Sequence, residues 1–328
     1  MAEKRTVTRI RSVVALACAV MFTVVGCAAK NVTNQTTEPQ PTNNNGRSGE
    51  INATTAYETP VTQEPLSSYT DGDTFTGRLP MGKVDYVAHD PLNMAGLSTE
   101  KIGHSHGPAS NGKAHPNVVS LQKTLNNYGA LTLDTVSAEK VLYLTFDCGW
   151  ENNNLTSRVL DVLEEKGVPA AFFCTLSHVE QETELITRMI NEGHIVGNHS
   201  TTHPSFASIT RQQMADEIET MENYLRTKFG YCSKYFRFPA GEYNESALEL
   251  ISSLGYTSVF WSVAYDDWDV NVVRGADYAT ETVMKRLHPG AVILLHSVSK
   301  DNADALGEII DRARAEGYTF LSLDDYSG

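Results

Sequence analysis

The sequence predicts an α/β domain whose parallel sheet folds into a closed or nearly closed barrel. Three observations lead there. From about Ser137 onward, strand-like apolar runs alternate with amphipathic helical stretches. The clearest runs are almost continuously hydrophobic, as in strands buried on both faces. About 190 residues carry the alternation, enough for a barrel smaller than the usual eight-fold one.

Each element has its own reason. Val141 to Phe146 is the first buried strand. Val159, Leu160 and Leu163 recur at helical spacing within Thr156 to Lys166. Ala170 to Cys174 reads as the second strand, Leu185 to Asn191 as a helix, and His194 to Gly197 as the start of a third strand. Thr210 to Phe229 is the best-marked helix. Thr210 and Gln213 make a capping box, Met214, Ile218, Met221 and Leu225 form the apolar stripe, and Gly230 ends it. Further strands are expected at Tyr235 to Phe238, Val259 to Val263 and Ala291 to Leu295. Helices are expected at Glu245 to Leu254, Tyr278 to Leu287 and Asn302 to Glu316, and Tyr318 to Ser322 closes the chain.

The N-terminal third reads differently. Lys4, Arg5, Arg9 and Arg11 precede an apolar run, Val13 to Gly26, too short for an ordinary membrane span. Small residues before Cys27 resemble a bacterial lipoprotein cleavage site. Residues 1–27 are therefore read as a lipoprotein signal peptide, with lipidated Cys27 anchoring an extracytoplasmic protein to the cell membrane. Residues 28–68 are rich in Asn, Thr, Gln and Pro and bury too little apolar surface to offset ordering entropy. They are read as a disordered tether with a reach of roughly 35 Å. Residues 69–136 are read as an irregular covering segment with a short helix over Val118 to Tyr128. His104, His106 and His115 lie there, at loose spacing broken by Gly, Asn and Pro.

The formal charge is −14, and about −17 once the signal is removed. That balance argues against nucleic acid and anionic lipid as binding partners. After the signal and Cys27, the cysteines are Cys148, Cys174 and Cys232, an odd number that implies no disulfide framework. Cys174 ends an apolar run and is read as core.

Chemistry concentrates at strand ends. His199 and His203 sit four apart, about one helical turn, so both imidazoles can face one ion. Asp147, Arg237, Asp267 and His296 close other predicted strands or follow them directly, where chemistry sits in such folds.

Five segments in order carry a resemblance. They are Thr145-Phe146-Asp147-Cys148-Gly149, His199-Ser200-Thr201-Thr202-His203, Arg237-Phe238-Pro239-Ala240-Gly241, Asp267-Trp268 and Leu294-Leu295-His296. Together they resemble the polysaccharide deacetylases, the nodulation-protein-B-like domain of carbohydrate esterase family four, over Glu139 to Tyr326. The likeness is strongest to the δ-lactam-biosynthetic de-N-acetylases of spore cortex peptidoglycan. It rests further on Glu151-Asn152, Trp261-Ser262-Val263-Ala264 and the stretch from His296 to Ala303.

The resemblance implies a distorted, incomplete (β/α) barrel of about seven strands over residues 137–328. It implies Asp147 as general base, His296 as general acid, Asp267 as the carboxylate beside His296, and Arg237 as the partner of Asp147. His199 and His203 would hold one divalent ion, zinc first, with manganese, cobalt or magnesium as alternatives. The Ala240 N–H would face the oxyanion, and Trp268 and Leu294 would line the acetyl pocket. The expected substrate is peptidoglycan, at its N-acetylmuramic acid residues, attacked by a monomer. N-acetylglucosamine is the alternative substrate, and a glycan-binding pseudoenzyme the alternative class. The family's usual third metal ligand, an aspartate, is replaced by Cys148. Either the thiolate binds the metal, which favours zinc, or the thiol stays protonated and waters complete the shell. The second reading is the working one.

Overall fold

The computed structural model describes residues 76–105, 107–137 and 139–326. The expected leader with Cys27, the tether, residues 69–75 of the covering segment and His106 lie outside the described residues. Among the described residues, no helix is long and apolar enough to cross a membrane.

The sheet is centred on β2 (Val141–Cys148). Beside it run β3 (Ala171–Cys174), β4 (Ile195–Asn198), β5 (Tyr235–Phe236) and β7 (Thr257–Ser258) on one side. On the other is β8 (Ala291–His296). The first half of β2 also pairs with β9 (Thr319–Leu321), and its second half with β3. All seven strands are parallel. The result is the expected distorted, incomplete barrel. A separate antiparallel ribbon joins β1 (Ile102–Gly103) to β6 (Glu242–Tyr243).

The barrel nearly closes between β7 and β8. Val263 bridges Ile293, with the Leu294 N–H donating to the Val263 carbonyl at 2.8 Å. The continuous strand expected from Val259 to Val263 does not form. Leu131 takes its backbone partners, accepting from the Phe260 N–H at 2.7 Å and donating to the Ser258 carbonyl at 2.8 Å. Leu133 bridges Ala291 on the far side. Residues 131–133 thus fill the seam of an open barrel. Just before them lies α1 (Pro116–Leu125), with a 3-10 turn at Asn126–Tyr128.

Helices cover the outside. They are α2 (Leu155–Lys166), α3 (Leu176–Gln181), α4 (Thr183–Asn191), α5 (Arg211–Phe229), α6 (Glu245–Ser253), α7 (Ala276–Arg286) and α8 (Lys300–Ala315). The capping box of Thr210 and Gln213 starts α5, and a left-handed Gly230 ends it; such a cap stabilises a helix by about 1 kcal/mol. The sequence reading misses α3, whose six residues are too few for a periodic signal.

The strand pleat sorts β2 into two sets. Leu142, Leu144, Phe146 and Cys148 join Phe172 and Cys174 in the core beneath α2 and α8. Val141 and Tyr143 join Ala171 and Phe173 inside the barrel. Asp147 has the inner parity, and this alternation decides what each residue of the site meets.

Candidate active site

Asp147 sits at the end of β2, opposite Phe173 of β3 and His296 of β8. Its Oδ1 accepts from Arg237 Nη1 at 2.7 Å, and its Oδ2 lies 3.6 Å from His199 Nε2. Arg237 is fully buried. Its remaining donors reach the Val259 carbonyl at 2.9 Å, Thr145 Oγ1 at 2.8 Å and the Phe260 carbonyl at 3.3 Å. Its guanidinium stacks 4.1 Å from the Phe173 ring centre. A buried charge with its donors satisfied and its countercharge in contact is tolerable; without Asp147 it would not be. Burial pushes the Asp147 carboxyl up, but Arg237, then His199 and His296, outweigh it. The group stays below the ordinary carboxylate range.

His199 follows β4, and its Nδ1 lies 2.8 Å from the Arg237 carbonyl. With the proton on Nδ1, that contact aims the Nε2 lone pair into the site. Burial holds the imidazole down to about 4, so it is neutral, the ligand form. The His203 ring stands 4.9 Å away, centre to centre, at 78°. The pair does not lie on a helical turn, as its spacing suggested. Ser200 and His203 are left-handed, with φ of 70° and 59°. The loop is bent back by Ser200 Oγ, which accepts from the His203 N–H at 2.9 Å. Glu217 of α5 pins it further, accepting from the Thr201 and Thr202 N–H groups at 3.0 and 2.7 Å. Two imidazoles beside an ionised carboxylate suit a divalent cation.

Across the mouth, His296 Nδ1 is 2.7 Å from Asp267 Oδ1, and its backbone N–H donates to Asp267 Oδ2 at 2.8 Å. Asn302 of α8 donates to Asp267 and, at 3.1 Å, to the His296 carbonyl. Tyr265 donates to Asn302 at 2.5 Å. Burial pushes His296 down. The Asp267 hydrogen bond and charge, with Asp147 behind them, outweigh it and raise its pKa. The imidazolium is therefore held charged, its side chain 23% open to the cleft.

Asp147, His199, His203, Ala240, Trp268, Leu294 and His296 all line one cleft of about 940 Å³. Arg237 and Asp267 stand directly behind it. Ala240 is left-handed, with φ 53°, in the turn after Phe238. At the rim Trp268 is exposed, and so is Trp150, which the sequence reading passed over. Asn302 falls within the His296–Ala303 stretch but was given no role, and Tyr265 was missed, because a second layer has no spacing rule.

Cys148 is elsewhere. Its thiol is buried, 3.2 Å from Ser297 Oγ, on the core side of the sheet with Cys174 and His178. Burial, then Cys148, pushes the Cys174 thiol well above its ordinary value.

A carboxylate kept ionised on one side of a cleft and an imidazolium kept charged on the other form a pair suited to acid–base catalysis. The polysaccharide deacetylase family model matches residues 134–259, which hold Asp147, His199, His203, Arg237 and Ala240. The peptidoglycan-N-acetylmuramic acid deacetylase PdaA of Bacillus subtilis is 39% identical over 244 residues, 74% of this chain and 88% of its own. The solved structure of PdaA, a family 4 carbohydrate esterase, superposes with a TM-score of 0.67, covering 70% of this chain and 98% of that one. A Bacillus cereus peptidoglycan-N-acetylglucosamine deacetylase is 34% identical over 186 residues, 55% of this chain and 66% of its own. The chain belongs to the polysaccharide deacetylase family, whose members are hydrolases of amide C–N bonds.

Proposed function

We propose that the protein removes the acetyl group from N-acetylmuramic acid in peptidoglycan, preferring residues stripped of their stem peptide. The freed amine and the lactyl carboxyl could then close to the muramic δ-lactam of spore cortex. The observation that carries the reading is the pairing of Asp147 with Arg237 on one side of the cleft and His296 with Asp267 on the other. The sugar preference rests on the likeness to PdaA.

The residues divide the work. Asp147 takes a proton from the attacking water as its oxygen adds to the acetyl carbonyl. The Ala240 N–H faces the oxyanion that develops. Protonated His296 gives its proton to the leaving nitrogen as the C–N bond breaks, yielding acetate and the free amine. Asp267 keeps that imidazole charged and oriented. His199 and His203 would hold one divalent ion, zinc by preference. When bound, it would polarise the carbonyl and lower the pKa of water. Trp268 and Leu294 would bracket the acetyl group, and Trp150 a neighbouring sugar. The protein is proposed to act as a monomer.

The protein is further proposed to work outside the cytoplasmic membrane, anchored through lipidated Cys27. Cys27→Ala should then move it from the membrane to the soluble fraction; unchanged partitioning would contradict the anchor.

Mass spectrometry of muropeptides, before and after incubation with the protein, tests the reaction. Loss of acetyl from muramic acid is expected. Loss from glucosamine alone would give the runner-up reading. Loss from neither, with metal supplied, would leave a glycan-binding pseudoenzyme.

A further inference from the structure

On the outer face of the β2 and β3 tips, two thiols and an imidazole converge. Cys148 and Cys174 are directly opposite in the parallel ladder. His178, in the first turn of α3, reaches the same point. Their ligand atoms all lie within 4.8 Å of one another, and all three residues are buried. The His178 side chain is 1% exposed, and neither ring nitrogen has a hydrogen-bond partner. A buried imidazole with both nitrogens unsatisfied costs free energy comparable to lost hydrogen bonds. Catalysis makes no use of it, because the cleft lies on the other face of the strands.

We propose that Cys148, Cys174 and His178 form a second metal site, distinct from the His199–His203 pair, that takes a soft or borderline ion such as zinc. Two sulfurs and one nitrogen suit zinc and exclude magnesium and calcium. Around a tetrahedral zinc with Zn–S near 2.3 Å and Zn–N near 2.0 Å, donors stand about 3.7 Å apart, so these three need close by only ~1 Å. Two thiolates neutralise the dication, which suits a dry core. Each thiol gives up its proton on binding, and the imidazole lone pair is the third donor. Ser297 Oγ, 3.2 Å from the Cys148 sulfur, is the oxygen at hand for a fourth position. The ion would tie β2, β3 and α3 together one residue from Asp147, a structural clamp behind the catalytic face.

The test uses the reduced full-length protein carrying His199→Ala and His203→Ala, so that the cleft pair contributes nothing, and Cys232→Ala, to remove the other described thiol. Cobalt(II) is titrated in, and sulfur-to-cobalt charge-transfer absorption is followed. The proposal expects a band saturating near one equivalent, displaced by zinc. It expects Cys174→Ser to weaken binding by at least tenfold. Cobalt spectra showing nitrogen and oxygen donors only would overturn it. So would a Cys148–Cys174 disulfide that persists in protein isolated with zinc. Should Cys174→Ser fail to fold, the same protein without the cysteine substitution still decides: zinc must raise its Tm and shield two thiols from alkylation, and failure of both refutes the site.

Discussion

The two faces of the β2 tip make the most instructive comparison in the molecule. On the inner face Asp147 meets Arg237, His199 and an open cleft. One residue later, Cys148 meets Cys174, His178 and the apolar core under α2 and α8. On one side charge is stabilised by a partner and hydrogen bonds. On the other, the thiols lie in a dry, apolar environment. Adjacent residues on a strand share a position along the sheet but not a side of it. Chemistry is therefore divided by the pleat, and a sequence motif that runs Asp147-Cys148 spans two compartments.

The largest effects should fall on the inner face. His296→Ala should cost on the order of 10²–10⁴ in kcat/KM, since the leaving nitrogen loses its proton donor. Metal content, measured by elemental analysis, should be unchanged in that variant; a parallel loss of metal would show that His296 is a ligand instead. His199→Ala and His203→Ala should each lower metal content and activity together. Full occupancy in the double variant would break the assignment of the cleft pair, provided the outer-face thiols are blocked.

Strands, helices and the order of the site segments were legible because hydrophobic periodicity and strand ends are local signals. The capping box of α5 was read directly from Thr210 and Gln213. What escaped depended on distant partners. Leu131 replaces a strand neighbour at the seam, and only the folded chain brings it beside Val259. The His199–His203 loop is left-handed at two non-glycine residues, held by Glu217 from α5, so its spacing suggested a helical turn that does not exist. The side taken by Cys148 was in principle legible. An eight-residue buried strand with Asp147 facing the barrel obliges its neighbour to face the helices.

A smaller effect is expected from pH. The Asp147 carboxyl is held below, and the His296 imidazolium above, their ordinary values. On the proposed mechanism, activity needs the first ionised and the second protonated. On the alkaline side it should therefore persist above pH 6.5 and fall as pH rises through the raised His296 pKa. The same sign holds for stability: what the His296–Asp267 pair contributes is present below the ordinary histidine pKa and lost as pH rises through the raised one. Asp267→Asn should move the alkaline limb of the kcat profile to lower pH. An unmoved limb would mean that Asp267 does not set the acid.

The smallest effect should come from the outer face. In the metal-free protein Cys148→Ala removes a buried sulfur and should cost about 1 kcal/mol of stability, read from denaturant midpoints, with little change in rate.

The most direct measurement sets these neighbours against each other. Deacetylation rates of Asp147→Asn and Cys148→Ala would be compared on one acetylated glycan, each variant shown folded and supplied with metal. Asp147→Asn is expected to lose on the order of 10²–10⁴ in kcat/KM, and Cys148→Ala to stay within about threefold of wild type. Equal losses in the two, or near wild-type turnover without the Asp147 carboxylate, would contradict the division of the β2 tip into a catalytic and a structural face.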